Sequence, residues 1–305
     1  MTAGRHGLVV GVGGRPEGDD AVTLGKVLAE VTGAAALVAT AVPWPPYSLR
    51  HEDVGKALEL ATADEFARIT AQMLPLEVEC RAVADRHPAK ALHELAEAEG
   101  SALIVVGSSH RGALGRILLG DVGRALLHGA PCAVAVAPRG YADAERRLLR
   151  IGVAFDGSPE AWPALETGIG LAERLHASLA VLAVAEPPKY GYSGSIAAID
   201  PAALGGAERR DTERLLNLGR ARVPADLPVE GRVLSGLPAR VLAEASGDLD
   251  LMICGSRGYG PIRRTVLGST AHGLMHGAAC PVVVLARGIG LDPLGVAPAA
   301  FAHGP

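Results

Sequence analysis

Residues 251–284 read LMICGSRGYGPIRRTVLGSTAHGLMHGAACPVVV. The apolar run Leu251–Cys254 stops at Gly255; two residues later comes Gly258, and nine residues beyond it (Tyr259–Leu267) stands the pair Gly268–Ser269. A helical pattern then runs to Gly277, and a second apolar run covers Pro281–Leu285. This order predicts a buried strand, a glycine loop, a helix N-terminus and another buried strand. Each piece suits an anion. Gly255 and Gly258 let the backbone come close and turn its N–H groups outward. Gly268, Ser269 and Thr270 open a helix whose unpaired N–H groups favour negative charge, and Arg257, Arg263 and Arg264 add cations. The same positions also suit a plain turn that needs positive φ and a serine N-cap, so both readings stay open on the residues alone.

Outward from that stretch the chain repeats itself. HGAACPVVVLARG at 276–288 matches HGAPCAVAVAPRG at 128–140, and ICGSRGYG at 253–260 is loosely matched by VVGSSHRG at 105–112. The first copy has apolar runs at Leu8–Val12, Ala36–Val42, Ala102–Val106 and Cys132–Ala137, and an alternating run, LEVECRAV, at 76–83. Between them lie helical patterns. One follows Asp19 as a cap, with Leu24, Val27, Leu28 and Val31 on one face; another covers 52–73, with Leu58, Ala61, Phe66, Ile69 and Met73 as core candidates. Two more cover Ala89–Ala98 and the residues after Asp121. The second copy repeats the order: runs at Ile151–Phe155, Leu179–Val184, 229–234, 250–254 and 281–285, with helices at 208–222 and 238–246. Strands alternating with helices predict an α/β fold, each copy an open parallel sheet with helices on both faces. Domains are expected at 1–140 and 149–288, joined by the charged linker Arg139–Leu149 and followed by a loose tail, 289–305. The Pro/Gly/Ser/Ala-rich stretch 186–207 reads as a long loop, either a lid or a disordered connection.

The last strands, CAVAVA and PVVVL, are apolar throughout, although an edge position is expected for each. An exposed apolar edge invites aggregation unless it is paired or covered. Either the two copies pair edge to edge, antiparallel, with Val134 and Val136 near Val282 and Val284, or a helix of another chain covers each edge.

A length of 305 residues suits two domains of about 150 residues each. The net charge is −4 with no basic stripe, which argues against a nucleic-acid partner. The start, MTAGRHGLVVGVGG, has too short an apolar run for a signal peptide, and no span suits a membrane helix, so a cytoplasmic protein is expected. Cys80, Cys132, Cys254 and Cys280 form no paired-cysteine motif, and buried free thiols are expected rather than disulfides or a zinc site.

At Gly255, Gly258, Gly268 and Ser269 the chain resembles the universal stress protein family, which carries Gly, two residues, Gly, nine residues, then Gly and Ser or Thr around the phosphates of bound ATP. The resemblance covers both copies. It implies a flavodoxin-like (Rossmann-like) strand order, 3-2-1-4-5, in two tandem five-stranded sheets. It also implies a dimer-like contact through the last strands. Ligands of such sheets bind beyond the carboxyl ends of the strands where the order reverses. The family's aspartate after the first strand, at the adenosine end, falls on Asp156. Val184, at the end of the second strand, could pack on the base or be an ordinary core valine. The implied ligand is ATP, with or without Mg2+, in the C-terminal copy of a nucleotide-dependent sensor or adaptor. Which nucleotide is bound, and any assembly beyond the internal pair, stay open.

The first copy departs from that pattern. Gly13 stands at the aspartate position, His110 at the second glycine, and Asp121 follows Gly120 where Ser or Thr is required. Asp121 makes a good N-cap but sets an acid in the triphosphate seat, at a cost of roughly 1 to 4 kcal/mol for charges about 4 Å apart. This copy is therefore expected not to bind ATP, although His110, Arg111 and Arg116 could serve a smaller anion. No Walker A sequence, HExxH or GxSxG is present, and Pro16 breaks a GxGxxG at the first strand. His128 and His276 recur at helix ends as cation-compatible caps, and His272 reads as a surface residue. No general base stands beside the loop, so at most slow hydrolysis is expected. The alternative is an adenylyl-transfer or hydrolase enzyme of the wider adenine-nucleotide α-hydrolase group, because Asp156–Gly157–Ser158 bears a faint resemblance to a pyrophosphate loop. That group's fuller SGGxDS pattern is missing. A third reading makes both copies purely structural.

Overall fold

The computed structural model describes residues 7–13, 17–42, 51–109, 111–143, 145–187, 201–256 and 268–286. The first half runs β1 (Leu8–Val12), α1 (Glu17–Thr32), β2 (Ala36–Val42), α2 (His51–Met73), β3 (Val78–Ala84), α3 (Pro88–Glu99), β4 (Leu103–Gly107), α4 (Asp121–Leu127) and β5 (Ala133–Ala137). The second half repeats it as β6 (Arg150–Ala154), α5 (Ala161–Leu175), β7 (Ser178–Ala185), α6 (Pro201–Arg220), β8 (Val229–Ser235), α7 (Pro238–Ala245), β9 (Leu251–Gly255), α8 (Ser269–Leu274) and β10 (Val282–Leu285). Within each half all strand pairs are parallel, because each connection carries a helix across a sheet face.

The two sheets are one. Its order is β3-β2-β1-β4-β5-β10-β9-β6-β7-β8, each half keeping the 3-2-1-4-5 order of an open flavodoxin-like sheet. Among the described residues the only antiparallel pair is the central one, with Val282 opposite Val136, Val283 opposite Ala135 and Val284 opposite Val134. These residues are all buried, so apolar edges that would template aggregation are paired with each other instead. Helices α1, α2, α5 and α6 cover one face, through Leu24, Leu28, Ile69, Leu165 and Ile169 among others. Helices α3, α4, α7 and α8 cover the other, through Leu92, Leu95, Leu126, Leu242 and Leu274. Both cores run through the seam without a break. The repeat is visible at atomic scale: α1 and α5 each press a glycine onto the first strand of their half. A Cβ on Gly25 would lie 2.6 Å from a Val10 methyl, and one on Gly168 2.4 Å from a Val153 methyl.

Several local expectations change. Helix α1 begins at Glu17, so Asp19 sits inside its first turn and pairs with Arg68 at 2.5 Å instead of capping the helix. Helix α4 is capped by Gly120 in extended conformation, which moves Asp121 from the cap to the first helical position. Helix α6 starts at Pro201, inside the stretch expected to be a loop to 207; proline suits a first turn, where its missing N–H costs nothing. Residues 188–200 and the tail from 287 lie outside the described residues, as does most of the expected lid. The linker is also tighter than its charge suggested. The Asp20 carboxylate accepts hydrogen bonds from the N–H groups of Gly140 and Ala142, both at 2.9 Å. At the far end Asp250 accepts from Leu149 at 2.9 Å and Arg150 at 2.8 Å. Burial raises the Asp20 pKa above its ordinary value, outweighing the hydrogen bonds that lower it.

Candidate functional site

The strand order reverses beside β1 and β4 in the first half and beside β6 and β9 in the second, so each half has its own crevice at those carboxyl ends. In the second half Ile151 pairs with Leu251 and Val153 with Ile253, which brings the chain after β6 next to the chain after β9. Asp156 is exposed there and firmly held. One of its carboxylate oxygens accepts from the Ser158 N–H at 3.0 Å and from the buried Ser158 hydroxyl at 2.5 Å. Gly157 makes the turn possible with φ of 74°, a left-handed conformation that a side chain resists.

Gly255 is a glycine for a different reason from the one its spacing suggested. A Cβ there would lie 2.8 Å from both the Cβ and the carbonyl oxygen of Glu160. Gly107 meets the carbonyl oxygen of Glu17 at 2.1 Å in the equivalent place. The end of β9 is pressed against the start of α5, as the end of β4 is against that of α1, and no side chain fits between them. The far end of the motif returns to this point, because the Gly268 N–H donates to the Ser256 carbonyl at 2.8 Å. Gly268 caps α8 in extended conformation, with Ser269 exposed and Thr270 half-buried in its first turn. Helix α8 is six residues long, so its first-turn N–H groups rather than a large macrodipole are what it can offer an anion. Arg257, Gly258, Arg263 and Arg264 lie outside the described residues.

Val184 is half-buried against the α7–α8 side of the core. The strand registers put Ala41 of the first half in the same place, and Gly11, Gly13 and Ala39 where the second half has Ala154, Asp156 and Leu182. The first half thus has the smaller residue at each of four equivalent positions. Its crevice is a cavity of about 580 Å³, floored by Ala39, Ala41, Leu92 and Val106 and edged by Asp121 and Arg124.

The glycine loop of that half is closed on itself. The Ser108 hydroxyl accepts from the Leu118 N–H at 2.7 Å and donates to the Leu118 carbonyl at 3.1 Å. The Arg111 N–H points to the Ser109 hydroxyl at 3.4 Å, and the Gly112 N–H donates to the Ser109 carbonyl at 3.0 Å. Arg116, a candidate for holding a small anion, donates instead to the Gly277 carbonyl of the other half at 2.8 Å. The Ile117 and Leu119 N–H groups also cross the seam, to Ala278 and Met275. His110 lies outside the described residues. Ser108 escaped the motif reading; the signal for it was the Gly–Ser pair at 107–108 that recurs at 255–256.

No group of three or more His, Cys, Asp or Glu that could hold a metal occurs among the described residues. Burial pushes the thiols of Cys132 and Cys254 up to about 12, and that of Cys280 higher still, so none of these supplies a thiolate nucleophile. His128 and His276 each place Nδ1 2.8 Å from the carbonyl four residues earlier. No helix among the described residues is long and apolar enough to cross a membrane.

A family model described as the universal stress protein family matches residues 5–138 and matches again over 148–286. The chain belongs to the universal stress protein family. Universal stress proteins of Mycobacterium tuberculosis and Mycobacterium bovis are each 32% identical to it over 304 residues, covering 92% of this chain and 97% of theirs. One from Mycolicibacterium smegmatis is 29% identical over 306 residues, covering 93% and 98%. Among solved structures, a universal stress protein from Archaeoglobus fulgidus superposes with a TM-score of 0.63 at 19% identity, covering 92% of this chain and 98% of its own. A functionally unknown protein from Pseudomonas aeruginosa gives 0.65 at 15% identity, with 94% of both chains covered. At these identities the structural likeness speaks for the fold: an open α/β sheet flanked by helices, present here as a tandem universal stress protein.

Proposed function

We propose that the C-terminal half binds ATP, with or without Mg2+, and that the protein is a nucleotide-dependent sensor or adaptor of the stress response. The hydrogen bond from Gly268 to Ser256 carries this reading. It supports the reading by returning Gly268 to the end of β9, beside Gly255, and the phosphates would lie there with the adenosine toward Asp156. Asp156 would accept from the adenosine and Val184 would pack on the base. Gly258, Arg257 and the first-turn N–H groups at Ser269 and Thr270 would serve the phosphates. No residue is assigned to a chemical step. The N-terminal half would not take ATP, because Asp121 and the self-bonded loop oppose a triphosphate there.

Extraction and chromatography of nucleotide from the purified full chain tests this. About one ATP per chain is the expected result. AMP with pyrophosphate would favour the adenylyl-transfer alternative, and no saturable binding at millimolar ATP would overturn both. Asp156→Ala should weaken ATP about tenfold, near 1.4 kcal/mol, and Gly258→Trp should abolish retention while the circular dichroism spectrum is kept.

A further inference from the structure

We propose that the cavity of the N-terminal half is a ligand site in its own right, built for an aromatic monoanion: a flat ring system bearing one carboxylate or sulfonate. At about 580 Å³ the cavity lies within the roughly 300–1,000 Å³ span of small-molecule sites. Gly13, Ala39 and Ala41 line it where the C-terminal half has Asp156, Leu182 and Val184, and a Cβ on Gly13 would meet nothing within 4 Å. Leu92 and Val106 complete an apolar bed suited to a ring face.

The charges select the other end of the ligand. Arg111, Asp121 and Arg124 line the cavity and are all exposed. Arg111 and Arg124 offer two guanidiniums to one anionic group, while the carboxylates of Asp121 and Glu17 balance them and repel the further charges of a polyphosphate. Glu17 also lines the cavity and is engaged within the fold. The loop that would have to cradle phosphates spends its N–H groups on Ser109 and on the other half of the chain. Arg124 also faces across the seam, where with His276 and His128 it lowers the pKa of His272, an effect headed by burial. A ligand anion on Arg124 would relieve part of that repulsion, so occupancy has a reporter outside the cavity.

The test is titration of the full chain with 8-anilinonaphthalene-1-sulfonate in saturating ATP, alongside N-phenyl-1-naphthylamine, which keeps the rings and lacks the sulfonate. Expected are one saturable site per chain for the anion, binding at least about tenfold weaker for the neutral compound, and an upward shift of the His272 pKa by NMR on binding. Ala41→Trp should fill the cavity and remove the signal while the native circular dichroism spectrum is kept. Should that variant not fold, the exposed pair Arg111→Ala and Arg124→Ala decides, with at least about tenfold weakening expected. Equal binding of the two probes, unchanged affinity in a folded Ala41→Trp or in the double arginine variant, or one-for-one displacement by ATP would each overturn the proposal.

Discussion

Gly255 shows how a motif residue can be fixed by packing. A methyl group there would press on the Glu160 backbone at 2.8 Å, so Gly255→Ala should cost about 1–3 kcal/mol in urea denaturation. Gly13→Ala, where a Cβ meets nothing within 4 Å, should be nearly neutral in the same measurement. Asp20 gives a second prediction, with its sign set by burial. Its raised pKa means that the native state holds the proton more tightly than the unfolded chain does. Its contribution to stability therefore falls as pH rises from the ordinary value of 3.8 through the folded value. Asp20→Ala should cost about 2 kcal/mol at neutral pH through its two lost hydrogen bonds, and more as the pH is lowered toward 4. The thiols of Cys132, Cys254 and Cys280, buried and hard to ionise, should resist Ellman's reagent in native protein at pH 8 and react on denaturation; half-buried Cys80 should react first. The close approach at Gly255 was marked in the sequence only as a glycine at the end of an apolar run, because the Glu160 backbone that excludes a side chain there lies 95 positions earlier. The grip of Asp20 and Asp250 on the linker was not marked at all, since those contacts join residues 100 to 122 positions apart and leave no local pattern.

At the scale of elements, the strands could be read because a short continuous apolar run bounded by glycine fits little besides a buried strand. Helix starts were harder. Pro201 and the Gly205–Gly206 pair made the beginning of α6 look like loop, since each glycine costs about 1 kcal/mol in a helix interior and only the following turns carry a clear pattern. At α4 an extended glycine took the cap, which no propensity rule separates from the acid beside it. The helix ends at the seam give a further prediction. The His272 pKa lies below its ordinary value through burial first, then the positive fields of His276, Arg124 and His128. The native state thus binds fewer protons there than the unfolded chain, and stability falls as pH drops from 6.5 through the folded value. Arg124→Ala should raise the His272 pKa in an NMR titration and soften that loss.

For the whole molecule, one sheet and two cores shared across the β5–β10 pair predict a single cooperative unfolding transition by far-ultraviolet circular dichroism and tryptophan fluorescence alike. Val283→Asp, which buries an unpaired charge in the central strand pair, should cost about 3–5 kcal/mol and split that transition in two. Covalent tethering matters here as well. Separate subunits meeting through this strand would come apart on dilution, whereas tethered copies stay joined at any concentration. Separate identical subunits would also receive every mutation in both crevices together. A fused chain is free of that coupling: a substitution enters one copy while its sister keeps the old chemistry, and the pair can specialise.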